Sequence, residues 1–179
     1  QGGPPVSPYQ PPGLWSEMSM GRKYAQSEGD ALYRRSLYTI WKRTVAPPTM
    51  AVFDSADREA CAVIHERTNT PLQALALLNE TAAVEAARHL ATRIIDTDDP
   101  ITEGFQIVTA RLPDAEERSV LETALVFYTQ EFAGDSQAAE KLLAIGDSPP
   151  SEHPDLPRLA ATTALANVLL NLDEVVTRD

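Results

Sequence analysis

The stretch LAATTALANVLLNL, residues 159–172, decides the fold, because almost every position in it is apolar or small. Four polar residues interrupt the stretch: Thr162, Thr163, Asn167 and Asn171. A helix that is apolar on all sides is normally central and buried. The stretch is shorter than the roughly 20 apolar residues that a membrane-spanning helix needs. We therefore predict a central helix from about Leu156 to Val176 in an all-α domain, with no membrane span.

Helix-start signals upstream predict further helices around this centre. Thr70-Pro71-Leu72-Gln73 combines a capping threonine, a proline at the first helical position and a glutamine that can complete a capping box. Asp99-Pro100 repeats the cap-then-proline pattern, and Asp114 to Glu117 forms a second capping box. These signals predict helices over 71–95 (one helix, or two broken near 79–81), 100–112, 115–134 and 136–145.

Apolar spacing assigns buried faces to two of these helices. The helix that begins at Pro71 is expected to bury a face made of Leu72, Leu75, Ala76 and Leu78. The helix over 115–134 is expected to bury Val120, Leu121, Ala124, Leu125, Tyr128 and Phe132.

The segment ALYRRSLYTIWKR, residues 31–43, is the most distinctive stretch of the chain. Asp30 is a plausible N-cap, and apolar residues then recur at helical spacing until Pro47-Pro48, so the pattern predicts a helix. The following residues, 47–68, show no sustained period and are predicted to form a loop with a short helical turn.

The first 13 residues are rich in proline and glycine, which excludes a helix or a central strand. They are predicted to form an extended, polyproline-like strap, with Tyr9, Leu14 and Trp15 as possible anchors. The resulting division is an extended segment over 1–30 packed on an all-helical domain of about six helices over 31–179. The opening Gln1-Gly2-Gly3 is read as the interior of a larger protein.

The net charge of −11 argues against nucleic acid as a partner, because nucleic-acid binding needs a basic surface. Residues 1–50 carry six basic and three acidic residues, so their balance of +3 leaves −14 for residues 51–179. Cys61 is the only cysteine, which excludes an internal disulfide and a Cys-based zinc site. It is expected to be a small buried residue rather than a thiol activated by His65.

Familiar catalytic and cofactor motifs are missing, so no catalytic residue and no metal ligand is assigned. The candidate ligand site is the basic and aromatic segment. Trp41 or Tyr38 would stack on a sugar ring while basic and amide side chains bind an anion: Arg34, Arg35, Lys42, Arg43, Arg67 and Asn69. Alternatively, the aromatic residues belong to the core and the arginines pair with nearby acids.

This alternative interpretation predicts a structural polar network that ties down the long loop over 44–69. Its members are expected to be Asp54, Asp57, Arg58, Glu66, Asn171, Asp173 and Glu174. Asn167 and Asn171 share one face of the central helix, where a buried amide must be hydrogen-bonded.

The chain resembles a known domain family in five stretches that occur in the family's order. They are residues 3–11, 33–43, 53–58, 67–75 and 170–174, which include Tyr33-Arg34-Arg35-Ser36 and Asn69-Thr70-Pro71-Leu72-Gln73. The family is the C-terminal planctomycete-specific domain of unknown function, which follows a cytochrome-c-like domain in large secreted proteins.

The resemblance implies export to the periplasm or outside the cell, a multidomain bacterial parent and upstream domains of the same polypeptide as partners. Any haem would belong to an upstream domain, since this chain has no Cys-x-x-Cys-His motif. Two functions are carried forward. One is a non-catalytic interaction or scaffold module. The other is a domain that binds or acts on polysaccharide, anionic polysaccharide included, through the basic and aromatic residues.

Overall fold

The computed structural model describes residues 3–11, 13–14, 24–41, 46–55, 68–149 and 153–177. The chain forms two compact units, Gln1–Ala76 and Leu77–Asp179. The described residues form helices and turns and no strand, apart from one isolated β-bridge, which confirms the predicted all-α class.

Eight α-helices, numbered α1 to α8 in chain order, lie within the described residues. Their bounds are Pro48–Val52, Pro71–Asn79, Thr81–Ile94, Pro100–Thr109, Ala115–Gly134, Ser136–Leu143, Leu156–Leu170 and Asp173–Val176. The six helices α2 to α7 are each at least eight residues long, in agreement with the prediction of about six. Two 3-10 turns precede them, at Gly29–Tyr33 and Ser36–Tyr38.

Helix α7 is the centre of the unit Leu77–Asp179, as its composition predicts. It contacts α3, α4, α5, α6 and α8. Leu159, Leu165 and Leu169 on α7 are fully buried. The buried hydroxyl of Thr163 donates to the carbonyl of Leu159, so this polar group is satisfied inside its own helix. The predicted helix to Val176 is interrupted, because α7 ends at Leu170 and a separate turn, α8, follows.

The predicted caps form as expected. Gln73 N–H donates to Thr70 Oγ1 at 3.2 Å while Thr70 N–H donates to Gln73 Oε1 at 2.9 Å, which is the reciprocal pattern of a capping box. Asp114 and Glu117 form the second box at the start of α5. Asp99 accepts from Thr102 N–H at the start of α4. Of the two alternatives for residues 71–95, the break is correct, since α2 ends before Glu80 and α3 begins after it.

The predicted helix over 31–43 is wrong. In its described part, residues 31–41, two short 3-10 turns form instead, and the extended residue Thr39 pairs with Val6 in a parallel bridge. The backbone of this segment bonds to the N-terminal strap, a long-range pairing that overrides the local helical spacing.

The predicted buried face of α2 is also wrong. Leu72, Leu75 and Leu78 are exposed, and the buried residue of this helix is Gln73. On α5 the assignment is correct for Leu121, which is buried, and wrong for Val120, which is exposed. The short helical turn expected within 47–68 is present as α1.

None of the helices among the described residues is both long enough and apolar enough to cross a membrane.

Candidate functional site

The proline-rich strap is held by backbone pairing through Val6. Val6 N–H donates to the carbonyl of Tyr38, and Ile40 N–H donates to the carbonyl of Val6, both at 2.8 Å. Val6 is also a buried residue of this unit. Residues 3–11 of the strap are therefore extended, with Val6 as one point of attachment, whereas the predicted anchor Trp15 lies outside the described residues.

The opposite edge of the strap bonds to residues 24–27. Ser27 N–H donates to the carbonyl of Ser7 at 2.8 Å, and Ser7 N–H donates to Ser27 Oγ at 2.9 Å. The Tyr24 hydroxyl donates to the carbonyl of Pro8 at 2.6 Å. Burial of the ring raises the pKa of Tyr24. The strap is thus enclosed by polar contacts on both sides.

Arg34 binds the start of the strap. Its Nη1 donates to the carbonyl of Pro4 at 2.8 Å. The guanidinium packs where a Cβ on Gly3 would lie, and Gly3 has a φ of +153°. The Arg34 Nε is buried and has no hydrogen-bond partner among the described residues. Within the described part of the chain, the Arg34 guanidinium therefore binds backbone through the carbonyl of Pro4.

A pocket of about 460 Å³ opens beside this strap. Its described lining consists of Gly3, Pro5, Leu37, Tyr38, Thr39, Ile40 and Trp41. No charged side chain belongs to that lining. We refer to it as the strap pocket. It is open to solvent on one side, and Leu37 on its rim is 71% exposed.

The strap pocket brings together only part of the predicted ligand site. Trp41 lines the pocket. The Arg34 guanidinium lies next to Gly3, which is also a lining residue. Arg35 and Asn69 are exposed and do not line it. The other three predicted residues, Lys42, Arg43 and Arg67, lie outside the described residues, so the ligand site stays a prediction.

Asp54, one member of the predicted polar network, lies in a hydrogen-bonded cluster centred on Gln73. The sequence did not indicate that Gln73 would have this role. Gln73 is 2% exposed. Its Nε2 donates to the carbonyl of Val52 and to Thr68 Oγ1, both at 2.9 Å. Thr68 in turn donates to Asp54. This cluster joins the end of α1 to the start of α2, and the ion pairs expected between Asp54 and arginines stay a prediction.

The remaining members of the predicted network are at other places. Asp57, Arg58 and Glu66 lie outside the described residues, as does Cys61. Asn171 is the residue that follows α7, and Asp173 accepts from the Thr177 hydroxyl at 3.3 Å.

Glu174 belongs to an ion cluster around Arg111 that the sequence analysis missed. The Arg111 guanidinium donates to both Glu174 and Glu117, with shortest distances of 2.6 Å, and lies 4.7 Å from the centre of the Phe105 ring. The Arg111 hydrogen bonds, together with that from Asp114 N–H, lower the pKa of Glu117 to about 2. The cluster ties α8 to the loop between α4 and α5. Arg111 and Glu174 are 63 residues apart in sequence, so spacing could not reveal their contact.

A second missed cluster is the buried pair Glu85 and Arg88 on α3. Arg88 donates to the carbonyls of Leu143 and Ser148, and Glu85 accepts from Ser148 N–H at 2.7 Å. The two charged groups are 3.7 Å apart with side chains 1% and 3% exposed. Gly146 lies directly against the Glu85 side chain, because a Cβ at position 146 would lie 2.1 Å from Glu85 Cδ. The pair therefore fixes the loop that follows α6.

None of these clusters provides a set of three or more potential metal ligands within the part of the chain that the structure describes.

Comparison with protein families matches most of the chain to a family of unknown function. The family model described as PSD1, protein of unknown function (DUF1553), matches residues 1–125. No curated protein and no solved structure matches the sequence. The matched residues include the whole strap pocket, α1 to α4 and the first half of α5, whereas α7 lies beyond them.

Proposed function

The chain belongs to the PSD1 family of proteins of unknown function (DUF1553), and we propose that it is a non-catalytic interaction or scaffold module of an exported, multidomain bacterial protein. The partner in this proposal is another domain of the same polypeptide, and the family resemblance points to the cytochrome-c-like domain upstream. Any haem belongs to that upstream domain.

The observation that carries the proposal is the outer face of α5. Val120, Val126 and Phe127 are 63%, 56% and 56% exposed. The opposite side of the same helix packs on α7 through Leu121 and Leu125. Single exposed apolar residues are common, but three within two turns of one helix are typical of a contact surface.

The ion pairs and hydrogen bonds of the charged side chains in this unit support the same proposal. The charged residues buried on α3 bind a loop, and Arg111 bonds to two carboxylates that join elements of one unit. These side chains stabilise contacts between elements of the same unit. A rigid helical unit that presents an apolar helix face is suited to docking a neighbouring domain, and tethering within one polypeptide raises the effective concentration of such a partner.

The test uses the parent polypeptide with its natural upstream domains. The double variant Val120→Ser with Phe127→Ser should release the upstream domain, seen as faster limited proteolysis between domains and loss of inter-domain chemical crosslinks. Leu112→Ser is the matched control, because Leu112 is a comparably exposed leucine that lies in a loop and not on an apolar helix face. Unchanged crosslinks in the double variant, with the control also unchanged, would contradict docking through α5.

A second candidate function is polysaccharide binding, favoured by one specific observation. Tyr38 and Trp41 line the strap pocket, and aromatic rings of this kind stack on sugar rings. In this proposal Arg34, Arg35 and the basic residues after Trp41 add affinity for sulfated or carboxylated chains. Affinity electrophoresis in gels with neutral or sulfated polysaccharide tests it, and Trp41→Ala should abolish the retardation. Equal mobility in all gels would contradict polysaccharide binding.

A further inference from the structure

We propose that the strap pocket binds a proline-rich peptide segment in the polyproline II conformation. The inference rests on the proposed function as an interaction module, and it supplies the chemistry of a second partner at a surface separate from α5.

The described lining of the pocket carries no charge, which favours an uncharged ligand. Its side chains are aromatic, aliphatic or threonine, and the nearest described guanidinium, that of Arg34, is bonded to the carbonyl of Pro4. A neutral ligand leaves that contact intact.

The residue types in the lining match those that recognise polyproline. A polyproline II helix has no internal hydrogen bonds, so its carbonyls need donors from the partner and its rings need flat apolar surfaces. Tyrosine and tryptophan supply both, because each has a large apolar ring and a polar tip. Grooves lined by aromatic residues are the usual docking sites for such segments. Tyr38 and Trp41 line the strap pocket together with Pro5.

The unit already binds proline-rich backbone by this chemistry. The Tyr24 hydroxyl donates to the carbonyl of Pro8, and Arg34 donates to the carbonyl of Pro4. Both acceptors are prolines of the chain's own strap. A second proline-rich segment beside the strap would be recognised in the same way, by side-chain donors to its free carbonyls.

The size of the pocket limits the ligand to a few residues. A volume of about 460 Å³ falls within the roughly 300–1,000 Å³ of small-ligand sites. It suits a short peptide segment rather than a folded domain, whereas the α5 face suits a domain.

The experiment measures fluorescence anisotropy of labelled decaproline on titration with the whole chain. We expect saturable binding that weakens by about tenfold or more in Trp41→Ala, as for an aromatic residue central to an interface, and by a smaller factor in Tyr38→Phe. Tyr33→Ala is the matched control, since Tyr33 is an exposed aromatic residue of the same unit outside the pocket. Its affinity should equal that of the unaltered chain.

Tyr38→Phe keeps the ring, so it separates loss of a donor from loss of fold, and circular dichroism of each variant checks folding. Binding that survives in both pocket variants, or no saturable binding at millimolar decaproline, would overturn the proposal. Binding of a neutral hexasaccharide in place of decaproline, lost in Trp41→Ala, would also overturn it and favour the polysaccharide function. Because the α5 variants are tested through inter-domain crosslinks, failure here leaves the proposed scaffold function to its own test.

Discussion

At the scale of single residues, the charged side chains that matter most are those that bind backbone. Arg88 and Glu85 are buried in α3, where an unpaired charge is costly, and each is satisfied by the loop after α6. The sequence shows only a glutamate and an arginine three residues apart, which is the usual pattern of an exposed helical pair. Their burial depends on the distant residues 143–148, so spacing could not identify them.

Arg88→Ala should destabilise the protein by about 3–5 kcal/mol, because it leaves the Glu85 carboxylate buried without its cation. Urea denaturation followed by circular dichroism measures this. Arg93→Ala is the matched control, an exposed arginine on the same helix, and should change stability by less than about 0.5 kcal/mol. Equal midpoints for the two variants would show that the buried pair contributes nothing.

Gly146→Ala should be destabilising for two physical reasons. Its φ of +95° disfavours any residue with a Cβ, and that Cβ would collide with the Glu85 side chain. We expect a loss above about 1 kcal/mol. Gly134→Ala, at the end of α5 with nothing near its Cβ, should be neutral or slightly stabilising. If the two alanine variants melt at the same temperature, the contact between Gly146 and Glu85 is not restrictive.

At the scale of elements, local signals predicted helix ends well and buried faces poorly. The caps at Thr70, Asp99 and Asp114 depend on residues two or three positions apart, which the sequence displays directly. The segment 31–43 has helical spacing as well, yet its backbone pairs with the strap about 30 residues earlier. The sequence therefore predicted the order of the helices, whereas it did not predict the tertiary pairing with the strap.

The candidate site shows the same division between local and long-range information. Trp41 was identified as a possible ligand contact from its residue type, and it does line a pocket. The other wall of that pocket, Gly3 and Pro5, comes from the strap and has no signal of its own in the sequence. Among the described residues Arg34 bonds to a strap carbonyl, a partner that charge patterning cannot predict, and its expected pairing with acids stays a prediction.

Leu169→Ala tests the central position of α7. Leu169 is fully buried and belongs to the cluster with Phe105, Leu121 and Leu165. Truncation should cost about 2–5 kcal/mol, through lost burial and the cavity left behind. Leu72→Ala is the matched control on an exposed leucine and should stay within about 0.5 kcal/mol. A similar loss in both, measured by chemical denaturation, would show that α7 is not the centre of packing.

At the scale of the whole molecule, part of the acidic charge is paired with arginines in local contacts. The net charge is −11, yet two carboxylates near α4 and α5 are held by arginines. Arg118 lowers the pKa of Asp99 to about 2, with Thr102 contributing further hydrogen bonds. Glu117 beside Arg111 is shifted to a similar value. These two pairs connect acid stability to specific contacts rather than to net charge alone.

Acid should therefore destabilise the protein through these two carboxylates. Because their folded pKa values lie below the unfolded values of about 4, they stabilise the fold above pH 4, and the contribution is lost as the pH falls towards 2. The double variant Asp99→Asn with Glu117→Gln should show a flatter decline of thermal midpoint between pH 4 and 2. Glu103→Gln, an exposed residue of α4 outside both pairs, should keep the original slope. An unchanged slope in the double variant would contradict the assignment.

The division into two compact units predicts that residues 77–179 fold alone. Both hydrophobic clusters consist of residues between Ala87 and Leu172, all within the unit Leu77–Asp179. That unit is longer than the roughly 55–65-residue domains that fold without help, and its central helix α7 already contacts five other helices of the unit. We expect the isolated fragment to give a helical circular dichroism spectrum and one cooperative thermal transition.

Leu169→Ala should lower the thermal midpoint of the fragment, whereas Val126→Ala, on the exposed face of α5, should leave it nearly unchanged. A broad, non-cooperative transition with strong binding of a hydrophobic dye would show that the fragment lacks a fixed core, and the cores of the two units would then have to be treated as interdependent in folding.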